Sequence, residues 1–428
     1  MKQVDSLKAL SYKPYRRIFF GSVISNVGTW VETVTIGIYM QSTTGNATYV
    51  ASAMAAGYIP QALMALFSGP IADKFSRKRI LLTTNTCAAL IACMLTFTVS
   101  TGSAKPALVI FLIFLTGFLN AVSFPAWQAF LADIVPKEKV AGALSLMFAQ
   151  WNLGRILGPA IAAIFVLGEH YTQALALNAV SFFVVVLMIA LVKEDHYQIS
   201  KEDRIYKRPA TKMETFFGGW QFILSKKSHM RRPFYVYCLI IFWASPFIAL
   251  IPNVADEVFG YKNLGTSLFT TFQGIGAVAV SVLMTTLHLK YGQTKTQQVL
   301  LFGLPFVMIG FGLAPNLFIA TPMALLFGVT YLGSLTSTTL SSQLAAPPQL
   351  KGRVSAAYMA TLGLLFPISS LLQSVFVENL GSRTLFVSTG IVLLILTSIA
   401  GAFSKSYRLP CEYGDTAKMG VEKDNNEN

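Results

Sequence analysis

The chain is divided into apolar blocks about 20 residues long, the length that an α-helix needs to cross roughly 30 Å of hydrocarbon. Charged residues make up only 12% of the 428 residues, whereas a soluble domain carries about 25%. The pattern therefore predicts an all-α polytopic membrane protein with twelve transmembrane helices, and it excludes a soluble globular fold. The approximate extents of the twelve blocks are 18–40, 47–71, 80–101, 106–131, 141–167, 172–192, 233–254, 265–288, 298–314, 317–341, 354–377 and 384–403.

Basic residues lie in alternate connections between the blocks. Of the 33 lysines and arginines, 29 lie in the termini and in every second connection, three lie in the opposite connections, and Arg155 lies inside a block. By the positive-inside rule, this distribution places both termini and the central connection in the cytoplasm. The net charge of +14 therefore reflects orientation in a lipid bilayer, and a nucleic-acid partner is not expected because the basic residues form no single surface or stripe.

The blocks form two sets of six, separated by a polar segment at residues 193–232 that holds ten basic and five acidic residues. We predict a six-helix bundle at residues 1–192, this cytoplasmic linker, a second six-helix bundle at 233–403, and a cytoplasmic tail at 404–428 that is expected to be disordered. The second part of the linker has the spacing of an amphipathic helix lying at the membrane interface. The alternative is a solvated linker whose hydrophobic patch docks on the helix ends.

Two ionisable residues, Glu32 and Arg155, lie inside the first and fifth blocks. An ionised side chain in a membrane span costs several kcal/mol unless it is paired or hydrated, so such residues usually mark a pathway for ions or substrate. Each lies 14 residues from the cytoplasmic end of its block, which is about 21 Å at 1.5 Å per residue. We therefore expect both side chains just beyond the midplane, where they could meet.

Polar residues accompany these charges on single helix faces, at about 100° per residue. We expect these faces to line a cavity for a small molecule. In the first block the polar stripe consists of Ser22, Ser25, Asn26, Thr29, Glu32 and Thr33; the fourth block contributes Asn120, Ser123 and Trp127, and the fifth Ser145, Asn152, Arg155 and Pro159. Aromatic residues would suit a bulky substrate, although they could equally be ordinary packing or interface anchors: Trp30, Trp127, Tyr237, Trp243 and Tyr358.

The connection after the second block carries the most specific motif of the chain. A glycine is followed four residues later by an aspartate and then by a basic cluster: Gly69, Asp73, Lys74, Arg77, Lys78 and Arg79. This stretch closely resembles the cytoplasmic loop signature of the major facilitator superfamily, with Ser76 where the commonest form has glycine. Its acid and bases can form contacts in one state and break them in another, so a cytoplasmic gate is predicted, with Asp133 and Arg353 from two equivalent turns assigned to it.

The fifth block contains a second signature, in which Gly154, Gly158 and Pro159 follow Asn152. It looks like the glycine–proline motif of exporters and antiporters of the same superfamily, with two of its usual glycines replaced by alanine. Small residues at four-residue spacing allow helices to approach closely, and proline can bend a helix. We therefore interpret the motif as a helix pivot that packs between the two halves.

Across both halves, the chain resembles the branch of the superfamily that contains macrolide-type drug efflux pumps and enterobactin-type siderophore exporters. The resemblance implies two six-helix bundles, a monomer in the cytoplasmic membrane of a bacterium, and export of a small organic molecule by proton antiport through alternating access. Proton-coupled uptake of a nutrient or metal chelate is the first alternative. A non-transporting membrane sensor on the same fold is the second.

Glu32 is the candidate proton carrier, because no other acidic residue lies within a predicted span. In this hypothesis its protonation alternates with substrate binding, and Arg155 helps to drive the exchange. The alternative is a fixed ion pair between Glu32 and Arg155, or an arginine that only braces the helices through Asn152 and backbone carbonyls.

Enzymatic chemistry is not expected. The four histidines lie singly in loops or near the end of a block, and no nucleophile–base pair occurs. The four cysteines have no ligand-like spacing, so neither a metal site nor a cofactor is predicted.

Overall fold

Every regular element that the structure describes is helical, as expected for a chain that must satisfy its backbone polar groups inside a bilayer. The structure is a computed structural model, and it describes residues 6–64, 68, 71, 74–136, 139–193, 218–225, 228–346, 350–403 and 407–410. Two residues of the predicted gate, Gly69 and Asp73, lie outside this part of the chain. So do most of the linker and most of the tail.

The chain divides into two units, and each is described by itself. The first contains Met1–Thr211 and Tyr261–Thr271, and the second contains Lys212–Gly260 and Phe272–Asn428. After a short 3-10 helix at Ser6–Ser11, the helices of the first unit are α1 (Lys13–Thr44), α2 (Ala47–Met64), α3 (Arg77–Ser100), α4 (Pro106–Asp133), α5 (Val140–Val166) and α6 (Tyr171–Ala190). Each lies on one of the six predicted blocks.

The second unit begins with a short helix from the linker, α7 (Gly218–Leu224). Its longer helices are α8 (Arg231–Ala244), α9 (Pro246–Glu257), α10 (Lys262–Tyr291), α11 (Gln293–Leu313), α12 (Leu317–Ala345), α13 (Lys351–Leu380) and α14 (Ser382–Ile399). Helices α8 and α9 together occupy the predicted seventh span, so this unit also supplies six spans. The first residues of α10, up to Thr271, cluster with the first unit.

Residues with restricted or unusual backbone angles set several helix ends. Gly45 ends α1 with φ at 62°, and its N–H donates to the Gln41 carbonyl. Asn316 caps α12 by accepting a hydrogen bond from the Ile319 N–H. The seventh span, predicted as one continuous helix, is interrupted at Ser245 because Pro246 has no N–H to continue the hydrogen-bond ladder.

Nine stretches of the described helices are long and apolar enough to cross a membrane by length and composition alone: Arg77–Ser100, Pro106–Asp133, Tyr171–Ala190, Arg231–Glu257, Lys262–Met284, Gln293–Leu313, Leu317–Ala345, Arg353–Leu380 and Ser382–Ile399. The remaining long helices, α1, α2 and α5, complete the twelve. Two of these three carry the charges predicted inside the membrane, Glu32 and Arg155. The prediction of twelve spans in two six-helix bundles is therefore confirmed.

The described end of the linker packs on the second unit. Ile223 is fully buried, and the indole Nε1–H of Trp220 donates to the Thr361 hydroxyl over 3.2 Å. A Cβ atom added to Gly219 would lie 2.4 Å from the Arg353 carbonyl oxygen, so α7 and α13 are in direct contact. This short segment is therefore helical and packs on α13, and the amphipathic helix at the membrane interface stays a prediction.

The tail also contains an ordered stretch, in contrast to the predicted disorder of residues 404–428. Tyr407 and Leu409 are buried, and the Leu409 N–H donates to the Thr294 hydroxyl over 2.8 Å. These residues are apolar in an otherwise polar tail, so burial compensates for the conformational entropy that ordering them costs. The rest of the tail lies outside the described residues.

An aromatic cluster forms part of the core of the second unit. The ring of Phe247 stacks on Phe327 with centroids 3.9 Å apart, and it contacts Phe311 and Phe386 edge to face. All four rings are almost fully buried. The cluster joins α9 to α11, α12 and α14, so it holds the second half of the interrupted span in place.

We predict that Phe247→Ala lowers the free energy of unfolding by about 3–5 kcal/mol, because it removes a buried ring and leaves a cavity. The measurement is thermal denaturation of the purified protein in detergent. Phe318→Ala is the matched control, since that ring is 88% exposed on the same unit. Equal melting temperatures for the two variants would contradict the assignment of Phe247 to the core.

Candidate functional site

Glu32 is a residue of α1, in the first unit, and its side chain lies in the interface with α6. Its side chain is 7% exposed, and its Oε2 atom accepts a hydrogen bond from the Asn178 amide Nδ2 over 2.7 Å. The Ser181 hydroxyl has one proton and two acceptors on Asn178, the backbone carbonyl oxygen at 2.7 Å and the side-chain Oδ1 at 3.2 Å. The carboxylate is therefore buried next to a polar pair on α6 that is itself buried.

A glycine makes this close approach of α1 and α6 possible. A Cβ atom on Gly28 would lie 2.5 Å from the Ser181 Oγ and 2.8 Å from the Asn178 Oδ1. Gly28 precedes Glu32 by about one helical turn, so both face α6. A larger residue at position 28 would have to displace the Ser181 and Asn178 side chains.

The other side of α1 packs equally closely on α5. The Asn26 Nδ2 atom donates to the Gln150 carbonyl over 2.8 Å. A Cβ atom on Gly154 would lie 2.9 Å from the Trp30 ring, and one on Gly158 would lie 2.3 Å from the Trp30 Cβ atom. The glycines of the predicted pivot thus pack against α1 within the first bundle, and their part in a movement between the two halves stays a prediction. The following residue, Pro159, is buried in α5.

Arg155 belongs to this α5 side of α1. Its guanidinium carbon lies 5.5 Å from the centre of the Trp30 ring, a cation–π distance, and the group is within electrostatic range of the Tyr58 hydroxyl on α2. Glu32 and Trp30 are two residues apart on one helix and so point to nearly opposite sides of it. The structure thus turns Glu32 towards Asn178 on α6 and places the Arg155 guanidinium over Trp30 on the α5 side, so equal distance along two helices does not imply a shared direction.

The polar stripe of α1 is turned into the bundle instead of lining an open face. Ser22, Ser25 and Glu32 are all buried, whereas the apolar side chains of Phe20 and Ile24, in the N-terminal half of α1, are 55% and 50% exposed. The stripe lies between the directions of α5 and α6, which both pack on this helix. Thr29 satisfies its hydroxyl by donating to the Ser25 carbonyl of its own helix.

The two residues of α4 that were predicted to line the cavity lie in different environments. Asn120 is exposed, whereas Trp127 is half-buried and lines a narrow recess between α1, α4 and α5, together with Ser22 and Gln150. Asn152 on α5 is half-buried. Of the predicted cavity residues, the structure therefore brings Asn26 and Arg155 to the interface of α1 with α5, and it places Glu32 and Asn120 elsewhere.

The described gate residues make contacts inside the first bundle. The Arg77 Nη1 atom donates to the Asp133 carboxylate over 2.5 Å, and the carboxylate is almost fully buried. The Lys78 ammonium donates to the carbonyls of Ala190 and Val192 over 3.1 and 2.5 Å. These bonds join the start of α3 to the ends of α4 and α6. Lys74 and Arg79 are exposed.

Sequence reasoning missed Asn178, Ser181 and Gln150. Asn178 lies in an otherwise apolar block and is as conspicuous as Asn26, so the same criterion could have found it. The pairing of Asn178 with Glu32 could not have been found from one helix at a time, because it depends on which sides of α1 and α6 face each other.

The fold and these buried polar contacts define a polytopic membrane transporter built from two six-helix bundles. The chain belongs to the transmembrane secretion effector family of the major facilitator superfamily, whose profile matches residues 4–416. It is consequently a secondary transporter and not an enzyme.

Known proteins related to the chain include two whole-length bacterial transporters. The staphyloferrin A transporter of Staphylococcus aureus is 25% identical over 401 residues, which cover 92% of this chain and 97% of that protein. Macrolide efflux protein A of Streptococcus pyogenes is 21% identical over 396 residues, covering 92% and 96%. Among solved structures, the nucleoside transporter NupG superposes with a TM-score of 0.70 at 14% identity, covering 92% of this chain and all of that one. The structural likeness concerns the fold alone.

We predict that Gly158→Ala destabilises the first bundle by about 1–3 kcal/mol, because the new methyl group would overlap Trp30 and overpack the interface of α1 with α5. Gly57→Ala is the matched control, since its Cβ atom would meet Ile113 at an ordinary 3.7 Å. Thermal denaturation in detergent compares the two. A melting temperature for Gly158→Ala at or above that of the control would show that the interface is looser than described.

Replacing Arg77 by glutamine should lower the free energy of unfolding by about 1.5–3 kcal/mol, because the buried Asp133 carboxylate loses a charged donor. The double variant Arg77→Gln with Asp133→Asn should recover part of the loss, since a neutral amide then replaces the buried carboxylate. Arg79→Gln, at an exposed position, is the control for the charge itself. Additive losses in the double variant would argue against the pair.

Proposed function

We propose that the protein exports a small organic molecule across the bacterial cytoplasmic membrane in exchange for protons, with Glu32 as the proton carrier. The observation that carries the proposal is the burial of this carboxylate in the middle of a membrane-spanning helix, with an amide donor as its partner. An ionised group in such a place is costly, and sites of this kind are usually functional. In this proposal both termini lie in the cytoplasm, as the distribution of basic residues predicts, and the working unit is a monomer.

Protonation of Glu32 strongly changes the free-energy cost of keeping its side chain buried. Burying an ionised carboxylate costs several kcal/mol more than burying the neutral acid, unless hydrogen bonds compensate. Access of water or of a proton to Glu32 would therefore alter the stability of the packing between α1 and α6. A transporter that alternates between two states can use such a difference to couple proton entry to the movement of its substrate.

The names of the related proteins support outward transport and a class of substrate. The family is described as secretion effectors, and one relative is named as an efflux protein for macrolides. A second relative is named as a transporter of staphyloferrin A. We therefore infer that the substrate is a drug-like or siderophore-like molecule and that transport runs outward.

The positively charged residues of the predicted gate would act at the cytoplasmic side of the cycle. Arg77 and Lys78 hold the ends of three helices together in the described state. Breaking and remaking such bonds as the bundles move would give the gate two states of similar energy.

The proposal is tested with inside-out vesicles that are acidified by respiration and loaded with a pH-sensitive dye. Addition of the transported molecule from a panel of macrolides, lipophilic cations and siderophores should raise the internal pH. Glu32→Gln should reduce this response to background because the amide cannot carry a proton. Glu169→Gln, an acid-to-amide change at an exposed residue, should keep it.

A second assay separates coupling from binding. Exchange of labelled for unlabelled substrate across the membrane, without a proton gradient, should persist in Glu32→Gln if that residue serves only the proton. Proton-coupled transport that is unchanged in Glu32→Gln would refute the role of Glu32. No response to any compound, from protein that is folded and inserted, would instead favour uptake or another substrate class.

A further inference from the structure

We propose that Asn178 and Ser181 of α6 are positioning residues of the proton site, with Asn178 holding Glu32 in its ionised form and Ser181 fixing the direction of the Asn178 amide. This inference rests on the proposed function of Glu32. It places the proton site in the interface of α1 with α6, on the side of α1 away from Trp30 and Arg155.

The donors and acceptors of Glu32, Asn178 and Ser181 determine which end of the Asn178 amide faces the carboxylate. A carboxamide donates only through its nitrogen and accepts only through its oxygen. The Ser181 hydroxyl shares its single proton between the Asn178 backbone carbonyl at 2.7 Å and the Asn178 Oδ1 at 3.2 Å, so the Oδ1 end of the amide faces Ser181 and the Nδ2 end faces the Glu32 carboxylate at 2.7 Å. A hydrogen bond to an ionised acceptor is roughly twice as strong as one to a neutral acceptor. Asn178 therefore favours the carboxylate over the carboxylic acid.

Burial of the three side chains strengthens the preference of Asn178 for the ionised carboxylate. Asn178 is fully buried, Ser181 is 2% exposed, and Glu32 is 7% exposed, so water competes little for the three groups. Gly28 closes the site on the side of the preceding turn, where a Cβ atom would overlap both α6 side chains. The carboxylate thus depends on one fixed donor for much of the stabilisation that water would otherwise supply.

Other charges do not substitute for this donor within the described residues. The titratable or charged residues of the elements that pack on α1 are Lys8, Tyr49, Tyr58, Asp133, Arg155 and Tyr171. The Tyr171 hydroxyl is bonded to Ser42, and Asp133 is paired with Arg77. Arg155 lies over Trp30. On α1 itself, Lys13, Tyr15, Arg16 and Arg17 precede the span, and the Tyr39 ring packs edge to face on Tyr171.

A consequence is that a change of protonation at Glu32, on one side of α1, can reach the α5 side of the same helix, where Arg155 lies, through α1 itself. Protonation of Glu32 weakens the bond to α6, whereas Trp30, two residues away, is held by the glycines of α5. A change on one side of α1 would reach the other as a displacement of the helix.

The inference is tested by infrared difference spectroscopy of the purified protein, titrated with pH. The carbonyl band of protonated Glu32 is identified as the band that is missing in Glu32→Gln. In Asn178→Ala this band should persist to a pH about one to two units higher than in the unmodified protein, because the carboxylate has lost its donor. Ser181→Ala should shift it in the same direction by less.

Asn85→Ala is the matched control. Asn85 is also an asparagine within a helix of the first unit, but its amide donates to the Leu81 carbonyl of its own helix. Its titration should match that of the unmodified protein. If Asn178→Ala does not yield a monodisperse protein, Ser181→Ala carries the test alone. A band that titrates at the unmodified pH in the folded variants would overturn the inference.

The vesicle assay separates this result from the proposed function. If Glu32→Gln abolishes proton-coupled transport while Asn178→Ala leaves both the band and the pH profile of transport unchanged, the function stands and the role of Asn178 fails. If Glu32→Gln transports normally, the proposed function fails, and the proton site fails with it. Agreement of both assays, with the transport profile of Asn178→Ala moved to higher pH, is the expected result.

Discussion

The cost of leaving a polar group unpaired in an apolar medium is the constraint on which this protein depends. It requires helices, because only helices satisfy their backbone within one segment of the chain. It also explains why hydroxyls within the spans turn back to carbonyls of their own helix, as Thr33 does to Thr29 and Thr84 does to Ile80. The same cost makes Glu32 exceptional, since a carboxylate cannot be satisfied by its own helix and must recruit a donor from α6.

Most of the fold could be predicted from the sequence because the length of an apolar block is set by the bilayer and not by tertiary contacts. The twelve blocks and the two sets of six are found in the structure, with helix ends displaced by a few residues. The interruption of the seventh span at Ser245 followed from Pro246, which was visible in the sequence but was not used. Burial of Tyr407 and Leu409 could not be predicted, because it depends on a surface of the second unit that only folding creates.

Some residues of the candidate site could be predicted from the sequence, but the directions in which their side chains point could not. The rise of 1.5 Å per residue gave the depth of Glu32 and Arg155, and the sequence contained nothing about the directions in which neighbouring helices lie. Once α5 and α6 are placed on two sides of α1, Glu32 and Trp30 face different partners. Small residues were a better guide than charges here: Gly28, Gly154 and Gly158 mark the two contact sides of α1, although one glycine at a time gives no indication of its partner.

These glycines have a consequence for how the first bundle moves. A Cβ atom added to Gly28 would overlap α6, and one added to Gly154 or Gly158 would overlap α1, so α1 packs closely on both neighbours. Such close packing favours movement of the three helices as a group. A change at a single residue among them, including the gain or loss of one proton, is then transmitted along α1, a helix of 32 residues, and is not absorbed at that residue alone.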